Sequence, residues 1–329
     1  MTGKIIIATD AWSPQVNGVV TTYRQMEKHL DNCLFVTPHL FRNFPMPGYS
    51  EIKLSLVTPS MIDNIFSQYD IEHIHIATEG PIGLAVRRWC IKNNRKFTTS
   101  YHTKFPEFVQ AMYKIPAWLV YPYFRYFHNK SSGVMVATES LDRELKVRGF
   151  KNTVMWSKGV DTDQFRPTLT EQDKVKTLLY VGRVSKEKNI EAFLKCQIPN
   201  SRKIVVGSGP DLPNLVKKYK DSATFVGSKT GEDLTYYYNL ADVFVFPSKS
   251  DTFGLVILEA LACGTPVAAY PVTGPIDILN PKIGAMSEDL EQAIYQALTL
   301  DRYDCYKFTE QYSWKKVAEH FLQIIKSVG

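Results

Sequence analysis

Two acids eight positions apart, Asp251 and Glu259, bracket a stretch that could hold an anion: Phe253, Gly254, Leu255 and Val256. Gly254 lets a backbone approach a ligand closely. The amides of Gly254, Leu255 and Val256 open a helix whose positive end suits a phosphate. Glu259 follows one turn beyond Leu255, on the same helical face. On spacing alone, an N-capping aspartate and a solvated glutamate fit equally well. Arg183 and Lys188 shift that balance, because both follow a predicted strand and supply the positive charge a diphosphate needs. Gly207 lies in a further strand-then-glycine loop, VGSGP, which lacks the full G-x-G-x-x-G of a dinucleotide site. Nearer the start, Gly18 opens a helix after the first strand, again suited to phosphate. His102 ends another strand, where a lone histidine is more often structural than catalytic.

Such residues can cooperate only if strands deliver them to one edge of a sheet. Short apolar strands over 4–9, 33–37, 71–76, 96–101 and 133–137 alternate with helices over 19–30 and 83–93. The series restarts with strands over 177–181, 203–206, 223–226, 243–246 and 266–269, and its clearest helix covers 255–262. This alternation predicts an α/β protein with two Rossmann-like, doubly wound parallel sheets facing a cleft, since ligands bind at the carboxyl ends of such strands. The expected domains are 1–165 and 166–312, with a final helix after residue 313 packing back on the first. A polar linker running to residue 176 follows the boundary.

The chain has 329 residues, 44% hydrophobic and 22% charged, which suits two folded domains and excludes a disordered or low-complexity protein. Its first residues hold too short an apolar run for a signal peptide, and no stretch is long enough to span a bilayer. Five scattered cysteines without a C-x-x-C suggest neither disulfides nor zinc. A cytoplasmic location, with the option of peripheral attachment to the inner face of a membrane, is the expectation. Asp161 and Asp163 spell D-x-D, read here as a capping turn, so no metal is expected.

In order along the chain, DAWSPQVNGVV, SYHTKFPEF, SKGVDTDQFRP, YVGRVSKEKNIEAFL and SDTFGLVILEALACGTPVAAY resemble glycosyltransferase family four. Within it they are similar to the branch of GDP-mannose-dependent α-mannosyltransferases and of lipid glycosyltransferases such as sulfoquinovosyl transferases. The resemblance implies the GT-B fold and retaining transfer of a hexose, mannose or glucose, from a nucleotide diphosphate sugar to a lipid or glycan, with no further cofactor. It implies that Gly18 offers its amide to the donor diphosphate and that His102 lies near the donor sugar. Arg183 and Lys188 would neutralise the leaving diphosphate, Asp251 would contact sugar hydroxyls, and Glu259 the ribose. Backbone groups of Phe253, Gly254, Leu255 and Val256 would meet sugar and phosphate. Gly207 would also contact the donor, and Ser228 and Lys229 would lie against the base. Asp251 departs from the family's usual glutamate by one methylene, a substrate-tuning feature in this reading. A nucleotide-sugar epimerase on the same fold, or a non-catalytic sugar-nucleotide-binding protein, is the alternative. A phosphorylase would need a pyridoxal-binding lysine site that the sequence does not suggest.

The net charge of +6 is uneven. Residues 87–132 carry nine Lys/Arg, among them Arg87, Arg88, Lys92, Arg95 and Lys96, against the single acid Glu107. Within this segment, residues 104–129 hold nine aromatics. Rings beside cations suit an anionic membrane surface, so residues 87–130 are a candidate for peripheral contact. A helical excursion with most rings in its core explains the same composition. Nucleic acid is not expected, because no recognition motif accompanies the charge.

Overall fold

The computed structural model describes residues 3–15, 17–46, 49–168, 174–249 and 251–328. Val16 and Ser250 of the motifs above, and 169–173 of the linker, lie outside them. The chain divides into two compact units, one running to Lys158 and taking in the stretch from Trp314, the other Gly159–Ser313.

The first unit runs β1 (Lys4–Ala8), α1 (Gly18–His29), β2 (Cys33–Val36), β3 (Asn43–Met46), β4 (Tyr49–Ser55), α2 (Pro59–Phe66) and β5 (Ile71–Ile76). It continues through α3 (Pro81–Lys92), β6 (Thr98–Ser100), α4 (Phe105–Tyr113), α5 (Ala117–His128), β7 (Gly133–Val136), α6 (Glu139–Val147) and β8 (Thr153–Met155). Six strands form one sheet in the order β2-β1-β5-β6-β7-β8, and every neighbouring pair is parallel. Sheets covered by helices on both faces need apolar residues at successive positions, which β1 supplies with three buried isoleucines. Ile6, Ile74, Ile76, Val86 and Phe127 meet in one core cluster. Tyr101, Phe124, Val134, Leu141 and Phe150 form another. Asn17 caps α1 by accepting from the amides of Val19 and Val20 at 3.0 Å each. Helix α3 is capped from a distance: Asp10, just beyond β1, accepts from the amides of Ile82 (2.7 Å) and Gly83 (3.2 Å). That bond pins the loop after β1 to the carboxyl end of β5. The antiparallel pair β3–β4 has no counterpart in the sequence reading, because β3 carries Pro45 and shows no apolar alternation.

The second unit contains β9 (Lys176–Val181), α7 (Ile190–Lys195), β10 (Ser201–Val206), α8 (Leu212–Tyr219), β11 (Thr224–Gly227), α9 (Gly231–Leu240) and β12 (Val243–Phe246). Then come α10 (Leu255–Ala262), β13 (Val267–Ala269), α11 (Pro275–Ile278), β14 (Gly284–Met286), α12 (Leu290–Ala297) and α13 (Arg302–Thr309). Its sheet has the order β11-β10-β9-β12-β13-β14, again parallel throughout. Leu178, Phe193, Val205, Val245, Ala268 and Ile294 belong to its core. The last helix, α14 (Trp314–Val328), belongs to the first unit, where the Trp156 indole donates to the Val317 carbonyl at 3.1 Å.

Two readings of the basic, aromatic segment change here. Arg87 is only 1% exposed. It donates to the carbonyls of Phe127 (2.9 Å) and Tyr126 (2.5 Å), and its guanidinium lies 4.0 Å from the Tyr126 ring centroid. A guanidinium used to hold α5 against α3 cannot serve as a surface cation. The aromatics divide as well: Tyr121, Phe124 and Phe127 face inward, whereas Tyr113, Ile115, Trp118 and Leu119 stand exposed around the α4–α5 elbow.

Candidate functional site

In the second unit, the sheet order reverses at β9, which has β10 on one side and β12 on the other. Such switch points are where open α/β sheets bind ligands. Arg183 and Lys188 follow β9, and Asp251 follows β12. The two loops are stitched together by Asn189, whose side-chain amide donates to the Pro247 carbonyl at 3.0 Å. Across the switch point, Lys188 Nζ meets Asp251 Oδ2 at 2.6 Å. Asp251 Oδ1 also accepts from the amide of Thr252 at 2.8 Å. Burial pushes the Asp251 carboxyl up, but the Lys188 ammonium and the Thr252 and Phe253 amides outweigh it and hold the group below its ordinary range. Asp251 is therefore a fixed carboxylate. The Tyr180 hydroxyl steadies the neighbouring loop by donating to the Arg183 carbonyl at 2.8 Å.

Gly254 immediately precedes α10 with φ +87°, a conformation that disfavours any side chain, and as the N-cap residue it has no side chain of its own to cap the helix. Phe253 turns its ring into the core, so only its backbone can serve a ligand. Leu255 and Val256 form the half-buried first turn. One turn further, Glu259 accepts from the Tyr238 hydroxyl of α9 at 2.8 Å. Burial raises the Glu259 carboxyl to about 7, with the Tyr238 bond opposing the rise.

Gly207, by contrast, has a packing reason of its own. A Cβ there would fall 1.9 Å from the Gly182 carbonyl oxygen, and its φ of +145° adds strain. Its loop is tied to the next one by a 2.8 Å bond between the hydroxyls of Ser228 and Ser208. Lys229 follows in the same turn before α9. Asp161 accepts from the Gln164 amide at 3.2 Å, the local turn expected for it. Among the described residues, no group of three or more His, Cys, Asp or Glu is placed to hold a metal.

In the first unit Gly18 begins α1, and His102 follows β6. The His102 ring is held at both nitrogens: Nε2 lies 2.9 Å from the Tyr23 hydroxyl and Nδ1 3.1 Å from Lys158 Nζ. Burial, then the Lys158 charge, pushes His102 well below the ordinary imidazole range. Tyr23, His75, Lys158 and Tyr238 are the neighbours that sequence reasoning missed. One signal was available, the unusual I-E-H-I-H-I of β5, where histidines interrupt a run of isoleucines.

The family description "Glycosyltransferase Family 4" matches residues 14–164, and "Glycosyl transferases group 1" matches residues 161–302. The chain is 29% identical to the sulfoquinovosyl transferase SQD2 of Arabidopsis thaliana over 72% of its length, a match that spans half of that protein. It is 28% identical to an alpha-monoglucosyldiacylglycerol synthase of Streptococcus pneumoniae (98% of this chain, 86% of the other). A GDP-mannose-dependent alpha-mannosyltransferase of Mycobacterium tuberculosis shares 24% identity (84% and 82%). Among solved structures, sucrose-phosphate synthase from Thermosynechococcus elongatus is similar in fold, with a TM-score of 0.79 at 21% identity over 99% of this chain and 98% of the other. Fold and matches together define a glycosyltransferase that moves a hexose. The chain belongs to glycosyltransferase family four and has the GT-B fold.

Proposed function

We propose that this enzyme transfers a hexose, mannose or glucose, from a nucleotide diphosphate sugar to a lipid or glycan acceptor, with retention of configuration. The observation that carries the reading is the Lys188–Asp251 pair at the switch point beside the glycine-led start of α10. It sets a cation suited to the leaving diphosphate next to a carboxylate suited to sugar hydroxyls, the two ends of the bond that must break. Arg183 and Lys188 would stabilise the charge that grows on the diphosphate. The acceptor hydroxyl would attack from the same face and pass its proton to a donor phosphate oxygen, with no carboxylate as covalent nucleophile. The test is a panel of nucleotide sugars, with and without lipid extract or glycans. Acceptor-dependent release of nucleoside diphosphate, with a product of the donor's anomeric configuration, is expected. Release of an altered sugar without acceptor would point instead to epimerisation, and an inverted product would remove retention.

Because two side-chain cations can meet the diphosphate charge, turnover should survive excess EDTA. Loss of activity restored by magnesium or manganese would contradict that expectation.

The lipid acceptor leads to a further prediction. Among the described residues no helix is long and apolar enough to cross a membrane. Trp118 (70% exposed) and Leu119 (52%), with Tyr113, Ile115 and Lys114, project from the α4–α5 elbow, while Arg88, Lys92 and Lys96 are exposed on and just after α3. Each cation at an anionic surface contributes about 1 kcal/mol. Flotation with anionic vesicles should therefore be visible at low salt and fall as salt rises. It should weaken when Arg88, Lys92 and Lys96 are neutralised, and again in Trp118→Ser. Arg87 is left intact because it holds α5. Equal indifference to anionic and neutral vesicles would leave a water-soluble glycan as the acceptor.

A further inference from the structure

Lys158 stands in the SKGVD stretch, yet the proposed transfer gives it no task. It is 5% exposed, and among the described residues no carboxylate pairs with it. Its Nζ lies 4.2 Å from the Trp156 ring centroid and 3.1 Å from His102 Nδ1. A buried ammonium without a counter-ion is costly, so such a lysine persists only where its hydrogens are used.

We propose that Lys158 is the positioning residue for His102, donating to Nδ1 and fixing the imidazole as its neutral Nε2–H tautomer. A direction for the whole hydrogen-bond chain can then be drawn. With Nδ1 taken as an acceptor, His102 Nε2–H donates to the Tyr23 oxygen at 2.9 Å. The single Tyr23 proton faces His75 Nε2 at 2.9 Å and Ser100 Oγ at 3.3 Å, and the shorter contact is taken as its acceptor. His75 Nδ1–H goes to Thr98 Oγ1 (2.8 Å), and the Thr98 hydroxyl to His73 Nε2 (2.8 Å). In this direction His102 and His75 each donate from one nitrogen and accept at the other, and His73 accepts at Nε2, so all three histidines are neutral. Ser100, 3.0 Å from His75 Nε2, supports the same nitrogen. Burial pushes His75 well down as well, which agrees with neutral imidazoles along the array. The other charged or titratable groups facing His102 are His75 of β5 and His128 of α5, the latter 3.1 Å from Glu79. Phe321 of α14 closes the array, with its ring centroid 5.1 Å from that of His75.

The catalytic consequence rests on the proposed transfer, in which His102 faces the donor sugar. Held at both nitrogens, His102 would be a rigid neutral post beside the sugar and would not exchange protons with it. The test is nitrogen-15 NMR of histidine-labelled enzyme, with His102 identified by its loss in His102→Gln. The wild type should show Nε2 protonated and Nδ1 unprotonated across the neutral range. Lys158→Met should release the tautomer and move the His102 titration, with the acidic limb of kcat/KM, upward by about one pH unit, whereas Lys158→Arg, still a donor, should retain the wild-type tautomer. An Nδ1–H signal in the wild type overturns the proposal even if the methionine variant fails to fold, and so does an unchanged His102 in a folded Lys158→Met. Full activity of His102→Gln would instead remove His102 from the transfer and leave the tautomer result standing.

Discussion

Arg183→Ala and Lys188→Ala should each lower turnover by about 10²- to 10³-fold while raising the Michaelis constant for the donor far less. Charge on the departing diphosphate grows towards the transition state, so a cation placed on it stabilises that state more than the bound donor. Lys188 needs a control that Arg183 does not, because its ammonium also neutralises Asp251 at 2.6 Å. Removing it leaves a partly buried carboxylate unpaired, which destabilises the fold for a reason separate from catalysis. Lys188→Ala combined with Asp251→Asn, compared with Asp251→Asn alone because that carboxylate is itself placed on the sugar hydroxyls, separates the two effects. The double variant should regain thermal stability and stay slow. Recovery of turnover together with stability would mean that Lys188 only holds Asp251. If the single variants change the Michaelis constant alone, the cations bind the donor without assisting its departure.

The parallel alternation of the chain was readable because buried strands such as IIIA and VFVF have no polar face to blur their limits. β5 and β12 fall on the residues expected, and so does α10, which starts where Gly254 breaks the strand-to-helix loop. The hairpin β3–β4 was not readable, since its pairing is set by partners across the turn and not by an apolar run. At the site, residue types were visible but partnerships were not. Lys188 and Asp251 lie 63 positions apart, and only the neighbouring placement of β9 and β12 brings them into contact. Arg87 illustrates the opposite error. Charge counted along a segment treats every cation as exposed, whereas α3 turns this one inward to fasten two carbonyls of α5. The histidine array is the clearest case of information held by the fold, for its members come from α1, β5, β6 and the segment beyond β8.

Glu259→Ala should weaken donor binding by about 1.5–3 kcal/mol, a loss on the order of 10- to 100-fold in affinity, while the chain stays folded. The carboxyl sits one turn into α10, partly buried, with the Tyr238 hydroxyl as its partner at 2.8 Å. Ribose hydroxyls would donate to its ionised form, yet burial raises the free group to about 7. Donor binding must then release a proton below that pH. Calorimetry should show affinity falling from pH 8 to pH 6 in the wild type, with a heat that depends on the buffer's ionisation enthalpy. Glu259→Gln should lose both dependences. Stability runs the opposite way: a folded-state value raised above the unfolded one favours the native state at low pH, and that contribution is lost as pH rises from the ordinary glutamate range through about 7. Glu259→Gln should therefore gain thermal stability relative to wild type at pH 8 and not at pH 4. Unchanged donor affinity in Glu259→Ala would sink the ribose assignment. Unchanged affinity between pH 8 and 6 in the wild type, with a weakened alanine variant, would keep the contact and show that Glu259 is already ionised before the donor arrives.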